Sequence, residues 1–116
     1  DLETHQKWFN RILNDDTTGF MVLEYGQDII GQLRFDFDEK YPVISISLNK
    51  KYRGLGLSKY LLNNGINYIK ENYNQNTLIA DIKKSNARSI SFFEAMGFKK
   101  EYEIRNGSAL RFIYRG

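Results

Sequence analysis

The apolar positions of this chain change period as it is read. Leu2, His5, Phe9 and Ile12 recur at three- and four-residue steps, and Trp8 and Leu13 widen the stripe. That spacing predicts an amphipathic helix over about residues 2–14. Asp1 is its expected cap, and Asn14-Asp15-Asp16 ends it. The period then shortens to two. Gly19 to Tyr25 and Ile29 to Asp38 read as strands joined by a turn at Gly26-Gln27-Asp28. In the second, Leu33, Phe35 and Phe37 alternate with Gln32, Arg34, Asp36 and Asp38. Glu39-Lys40-Tyr41-Pro42 turns the chain into a third strand, Val43 to Asn49, where Ile44, Ile46 and Leu48 alternate with Ser45 and Ser47.

Matching apolar to apolar faces across the last two strands sets Asp36 opposite Ser45 and Arg34 opposite Ser47. A slip of one residue would place the serines among the phenylalanines. One sheet face should therefore carry Arg34, Asp36, Ser45 and Ser47 together, either as a solvated face or as the lining of a substrate site. Beyond a glycine turn, Leu62, Ile66, Ile69 and Tyr73 restore the helical step, predicting a helix from Leu57 to Tyr73. Thr77 to Lys83 is a short strand. Asn86 to Met96 is a second helix, stopped by Gly97. Phe98 to Arg105 and Ser108 to Tyr114 close a hairpin around Asn106-Gly107. Three consecutive strands with tight turns imply antiparallel pairing, and the helical crossover after Asn49 implies a parallel neighbour. The expected fold is α/β, a mixed and mostly antiparallel sheet with helices on both faces.

Composition narrows the chemistry. With 116 residues and 41% hydrophobic content, the chain is expected to be a single domain, residues 1–116, with a real core. No cysteine is present, which excludes disulfides, thiolate metal sites and a cysteine nucleophile, and agrees with a cytoplasmic setting. No metal is expected. No apolar run is long enough for a membrane span, and Asp1 to His5 show no signal-peptide pattern. The net charge of +3 comes from 17 basic and 14 acidic residues mixed along the chain. That lacks the basic stripe of a nucleic-acid binder and suits an anionic small ligand.

Arg53-Gly54-Leu55-Gly56-Leu57-Ser58 lies between a strand and a helix. Glycines there let the backbone bend and approach a ligand, and the free N–H groups of the helix start attract an anion. Arg53 adds a permanent charge. By itself such a turn fits a pyrophosphate cradle or a corner that merely closes. It is not a P-loop, since no Gly-Lys-Ser/Thr follows, and no acidic residue completes a dinucleotide fingerprint.

Downstream stands Asn86-Ala87-Arg88-Ser89-Ile90-Ser91-Phe92-Phe93-Glu94-Ala95-Met96-Gly97-Phe98. Together the two motifs resemble the GNAT family of N-acetyltransferases, whose signature for acetyl-CoA is Arg/Gln-x-x-Gly-x-Gly/Ala, followed later by an Asn and a helix ending in Gly-Phe. The resemblance implies that Ile46, Ser47 and Leu48 pair with the pantetheine arm, and that Arg53, Gly54, Leu55, Gly56, Leu57 and Ser58 hold the pyrophosphate. Asn86, Ser89 and Phe93 then lie near the pantetheine and thioester. It also implies direct attack of a neutral amine on the acetyl thioester. Many members place a Tyr proton donor where this chain has Phe93, so either Ser89, a water or the substrate serves, or protonation of the thiolate is not limiting. No single general base is singled out: Asp36 is one candidate, and Glu24 and His5 are others; His5 and Trp8 read first as apolar packing of their helix, Trp8 also as a pocket wall. Arg34, Asp36 and Ser45 are expected at the acceptor.

The segments around Trp8, Gln32 and Ser45 are similar to acetyltransferases of nonulosonic-acid and surface-polysaccharide pathways, which acetylate a nucleotide-linked amino sugar. Protein N-terminal acetyltransferases share a similar first helix. A non-catalytic acyl-CoA-binding module is the third reading. The family's first strand and helix have no counterpart here, so the chain reads as the C-terminal part of a longer one, with the sheet edge at Gly19–Tyr25 left bare. The expected partners are a small-molecule amine and either a second copy or a fused pathway domain.

Overall fold

The computed structural model describes residues 6–9 and 17–116. In chain order the elements are β1 (Gln6–Phe9), β2 (Thr18–Tyr25), β3 (Asp28–Asp36), β4 (Val43–Leu48), a 3-10 turn (Lys50–Tyr52), α1 (Leu57–Tyr73), β5 (Thr77–Lys83), α2 (Ala87–Ala95), β6 (Lys99–Ile104) and β7 (Ala109–Arg115). The strands form one seven-stranded sheet in the order β1-β2-β3-β4-β5-β7-β6. Every neighbouring pair is antiparallel except β4 and β5, which are parallel. The mixed, mostly antiparallel sheet is the one the alternation predicts.

The first element is not the predicted helix. Gln6–Phe9 is a strand paired with β2, with Lys7 opposite Glu24 and Trp8 opposite Leu23. The rest of the 2–14 span, including Asp1 and His5, lies outside the described residues. Trp8 and Phe9 have strong strand preference, and the β2 edge offers a row of backbone partners that a helical stripe cannot reveal. The edge expected to be bare is therefore covered along Val22–Tyr25.

One sheet face builds the core. Leu33 and Phe35 of β3, Ile44 of β4, Ala80 of β5 and Phe112 of β7 are buried in one cluster with Leu61, Leu62 and Ile69 of α1 and with Phe93 and Phe98. α1 lies close because Gly65 has no side chain where it crosses β3: a Cβ there would stand 2.0 Å from Leu33 Cδ2. Phe93 of α2 packs edge-on against Phe98 at 5.0 Å, and Phe98 lies 5.3 Å from Tyr114. Both described helices therefore occupy the same face, contrary to the expectation of helices on both. The crossovers β4-α1-β5 and β5-α2-β6 step the same way across the sheet, and right-handedness puts both helices on one side.

On the opposite face Arg34, Asp36, Ser45 and Ser47 do stand together, but in a register shifted by two. Arg34 is opposite Ser45, Gln32 opposite Ser47, and Asp36 opposite Val43. A two-residue slip leaves every side chain on its face, so hydrophobic alternation cannot detect it. The connection from Phe37 to Pro42 decides the register, with Phe37 N–H bonded to the Thr17 carbonyl at 2.8 Å.

Candidate functional site

β4 and β5 share a single aligned pair, Val43 with Ile79, and then part. From Arg34–Ser45 to Gly31–Leu48 β4 keeps its partner on the β3 side only. The opening widens into a cleft of about 960 Å³ between the beginnings of α1 and α2. Its walls include Ile46, Ser47 and Leu48 of the splayed strand, Arg53, Gly54 and Gly56 of the glycine turn, and Asn86 and Ser89 of the α2 start. Residues forty positions apart in sequence thus reach one cavity because two parallel strands each end at a helix N-terminus.

The glycine turn is built for its conformation. Gly54 and Gly56 have φ of 81° and 74°, the left-handed region that disfavours side chains. Gly56 caps α1 with no side-chain hydrogen bond. The first helical bond runs from Tyr60 N–H to the Gly56 carbonyl at 3.3 Å. Between Arg53, whose N–H donates to the Lys50 carbonyl, and Tyr60, no backbone N–H has an acceptor among the described residues. A helix start with its donors free and facing a cavity is an anion site in waiting.

The turn is anchored from behind. Tyr52 is buried, and its hydroxyl donates to Asp28 Oδ2 at 2.7 Å, while Lys51 Nζ reaches the same oxygen at 3.2 Å. The Tyr52 hydrogen bond, then Lys51, holds the Asp28 carboxyl below the usual carboxylate range. The same bond pushes the Tyr52 phenol up. Asn49 Oδ1 accepts from Lys51 N–H and Asn49 Nδ2 donates to the Ile29 carbonyl, pinning the 3-10 turn to the β2–β3 hairpin.

Asn86 caps α2, its Oδ1 accepting from Ser89 N–H at 3.2 Å. That leaves Asn86 Nδ2 as a donor on the cleft wall. Leu55, 55% exposed, and Phe93, 3% exposed, do not line the cleft. Phe93 is a core residue, and its neighbour Phe92 takes the cleft position. The helical turn that buries Phe93 against Phe98 necessarily rotates Phe92 outward. Leu57 and Ser58 line the cleft too, and Lys59, Arg88 and Phe92, which escaped sequence reasoning, complete the wall; Tyr52 and Asp28 escaped it as well, since neither belongs to a motif.

The expected acceptor residues lie elsewhere. Arg34 and Asp36 line a separate depression with Asp38, Glu39 and Val43, and Ser45 lines neither cavity. Asp36 Oδ1 already accepts from Arg34 Nε and Nη2 and from the Thr18 hydroxyl. Asp36 and Ser89 are therefore not brought together. Glu24 sits at an irregularity in the β2–β3 pairing. Beside this depression Arg111 joins Asp81 and Glu39 through paired hydrogen bonds of 2.7–2.9 Å. Asp81 first, then Glu39, raises the Arg111 guanidinium, and Arg111 lowers the Glu39 carboxyl. Among the described residues no cluster of His, Asp and Glu could hold a metal ion, and no helix is long and apolar enough to cross a membrane.

The model of the acetyltransferase (GNAT) family matches residues 1–98. The chain belongs to the GNAT acetyltransferase family. An N-alpha-acetyltransferase of Sulfurisphaera tokodaii is 26% identical over 106 residues, 90% of this chain and 63% of that protein. One of Saccharolobus solfataricus is 28% identical over 95 residues, 80% of this chain and 56% of its own length. The chain thus spans about 60% of the length of these curated relatives. Spermidine N-acetyltransferase of Vibrio cholerae, solved in complex with CoA and spermine, superposes with a TM-score of 0.77 at 17% identity, covering 89% of this chain and 68% of that one. A mutant of the same enzyme gives 0.78 over 67% of its chain. At that identity the likeness is one of fold. What the cleft of this chain offers is a free strand edge, suited to an extended amide arm, and unpaired N–H groups, suited to an anion.

Proposed function

We propose that this chain carries the coenzyme half of an acetyl-CoA-dependent N-acetyltransferase acting on a primary amine. The observation that carries the reading is the free β4 edge running into a row of unpaired N–H groups at the start of α1. Backbone groups of Ile46, Ser47 and Leu48 pair with the pantetheine amides as an added strand does. The N–H groups from Gly54 to Lys59, with the α1 dipole, hold the pyrophosphate. Asn86 Nδ2 donates to pantetheine.

In the reaction the amine nitrogen bonds to the thioester carbonyl carbon, the C–S bond breaks, and the thiolate leaves. The amine loses a proton to a base, and the thiolate gains one. Ser89, half-buried on the cleft wall, offers its hydroxyl to the thiolate, which the buried ring of Phe93 cannot do. The acceptor approaches from the face opposite α1 and α2, where Arg34, Asp36 and Ser45 lie.

The finer reading is the acceptor. The names of the curated relatives favour a peptide α-amine over the nucleotide-linked amino sugar expected from the sequence. Thiol release from acetyl-CoA, measured with free N-terminal peptides, polyamines and nucleotide amino sugars, tests it. Peptide turnover supports the reading; turnover of the sugar alone reverses the choice. Tight acetyl-CoA binding with no turnover by the whole protein replaces catalysis by an acyl-CoA-binding role.

A further inference from the structure

The cleft carries more positive charge than a pyrophosphate cradle requires, and it carries it in places that work against the helices. Lys59 sits in the first turn of α1 and Arg88 in the first turn of α2, and both line the cleft with Arg53. A cation there opposes the positive end of the helix dipole, where a carboxylate would be favourable. Neither first turn has an acidic residue. The three arginines of the described strands and two lysines are neutralised at short range: Arg34 by Asp36, Lys51 by Asp28, Lys84 by Glu103, Arg111 by Asp81 and Glu39, Arg115 by Glu101. Arg53, Lys59 and Arg88 have no acidic partner among the described residues, and no acidic residue lines the cleft. A local rule broken twice, on the two helices that face one cavity, marks a site shaped for a ligand.

Resting on the coenzyme reading above, we infer that Lys59 and Arg88 form a separate subsite for the ribose 3′-phosphate of coenzyme A, making the cleft selective for the 3′-phosphorylated carrier. The pyrophosphate is already matched by the N–H groups from Gly54 to Lys59 and by Arg53 on the same turn. The cations left over line the same cleft, one from each helix. The remaining dianionic group of the ligand is the 3′-phosphate, which a guanidinium and an ammonium neutralise together.

The test is equilibrium titration of the whole protein with acetyl-CoA and with 3′-dephospho-acetyl-CoA, repeated on Lys59→Gln, Arg88→Gln and the double variant. Thermal unfolding checks that each variant folds; removing these cations should leave the melting temperature unchanged or higher. The expected result is at least tenfold tighter binding of acetyl-CoA by the unmodified protein. The double variant should lose that preference while its affinity for the dephospho form stays the same. Equal binding of both ligands by the unmodified protein overturns the inference and leaves the coenzyme reading intact. Equal weakening of both ligands in the variants also overturns it, assigning the cations to the pyrophosphate. Binding of neither ligand removes the coenzyme reading itself.

Discussion

The phenol of Tyr52 donates to Asp28 Oδ2 at 2.7 Å, tying the turn before the glycine loop to the far end of the β2–β3 hairpin. The ring is buried in the core, and only its hydroxyl makes the tie. Tyr52→Phe keeps the packing and removes the anchor, so acetyl-CoA affinity should fall severalfold, as read by titration. Lys51→Met should change it little, because Lys51 is 70% exposed and its ion pair is screened.

The same pair gives a pH signature. Asp28 is lowered by the Tyr52 hydrogen bond, so its contribution is present above the ordinary value of 3.8 and is lost as pH falls through the folded value. Tyr52 is raised by the same bond, so its contribution is present below 10.0 and is lost as pH rises through the folded value. Melting temperatures of the unmodified protein and Tyr52→Phe should therefore differ between these limits and converge toward both extremes.

Gly56 tests the loop. No atom stands within 4 Å of a Cβ built there, so the cost of a side chain is conformational, at a φ of 74°. Gly56→Val should cost about 1–2 kcal/mol of stability and reduce acetyl-CoA affinity by tenfold or more. Urea unfolding and titration read the two effects separately. Unchanged affinity would remove this turn from the site.

Gly65 tests how α1 is held against the sheet. Alanine would recover about 1 kcal/mol of helix preference but would drive Leu33 Cδ2 from a position 2.0 Å away. Overpacking of that kind costs about 1–3 kcal/mol. The net effect expected for Gly65→Ala is destabilisation, with partial rescue by Leu33→Val. Additive effects in the double-mutant cycle would mean the contact is not tight.

Arg111 and Asp81 have side chains only 14% and 11% exposed. Arg111→Met strands a nearly buried carboxylate and should destabilise by about 2–4 kcal/mol, on the scale of breaking a buried pair. Glu39→Gln, at an exposed partner, should cost under about 1 kcal/mol. Urea midpoints check the order.

The sequence by itself determined the elements from Thr18 onward and the face on which each side chain lies. Leu57–Tyr73 and Thr77–Lys83 were legible to the residue, because apolar period and terminal signals are local properties. The motifs at Arg53–Ser58 and Asn86–Phe98 marked two stretches that the fold brings to one cleft. Tertiary structure decided what depends on neighbours. Gln6–Phe9 became a strand because β2 offered it an edge. The β3–β4 register moved by two because alternation is blind to even shifts. Right-handed crossovers stacked both described helices on one face, and that stacking buried Phe93, left Phe92 half-buried on the cleft wall, and brought Lys59 and Arg88 to a cleft that neither motif alone describes.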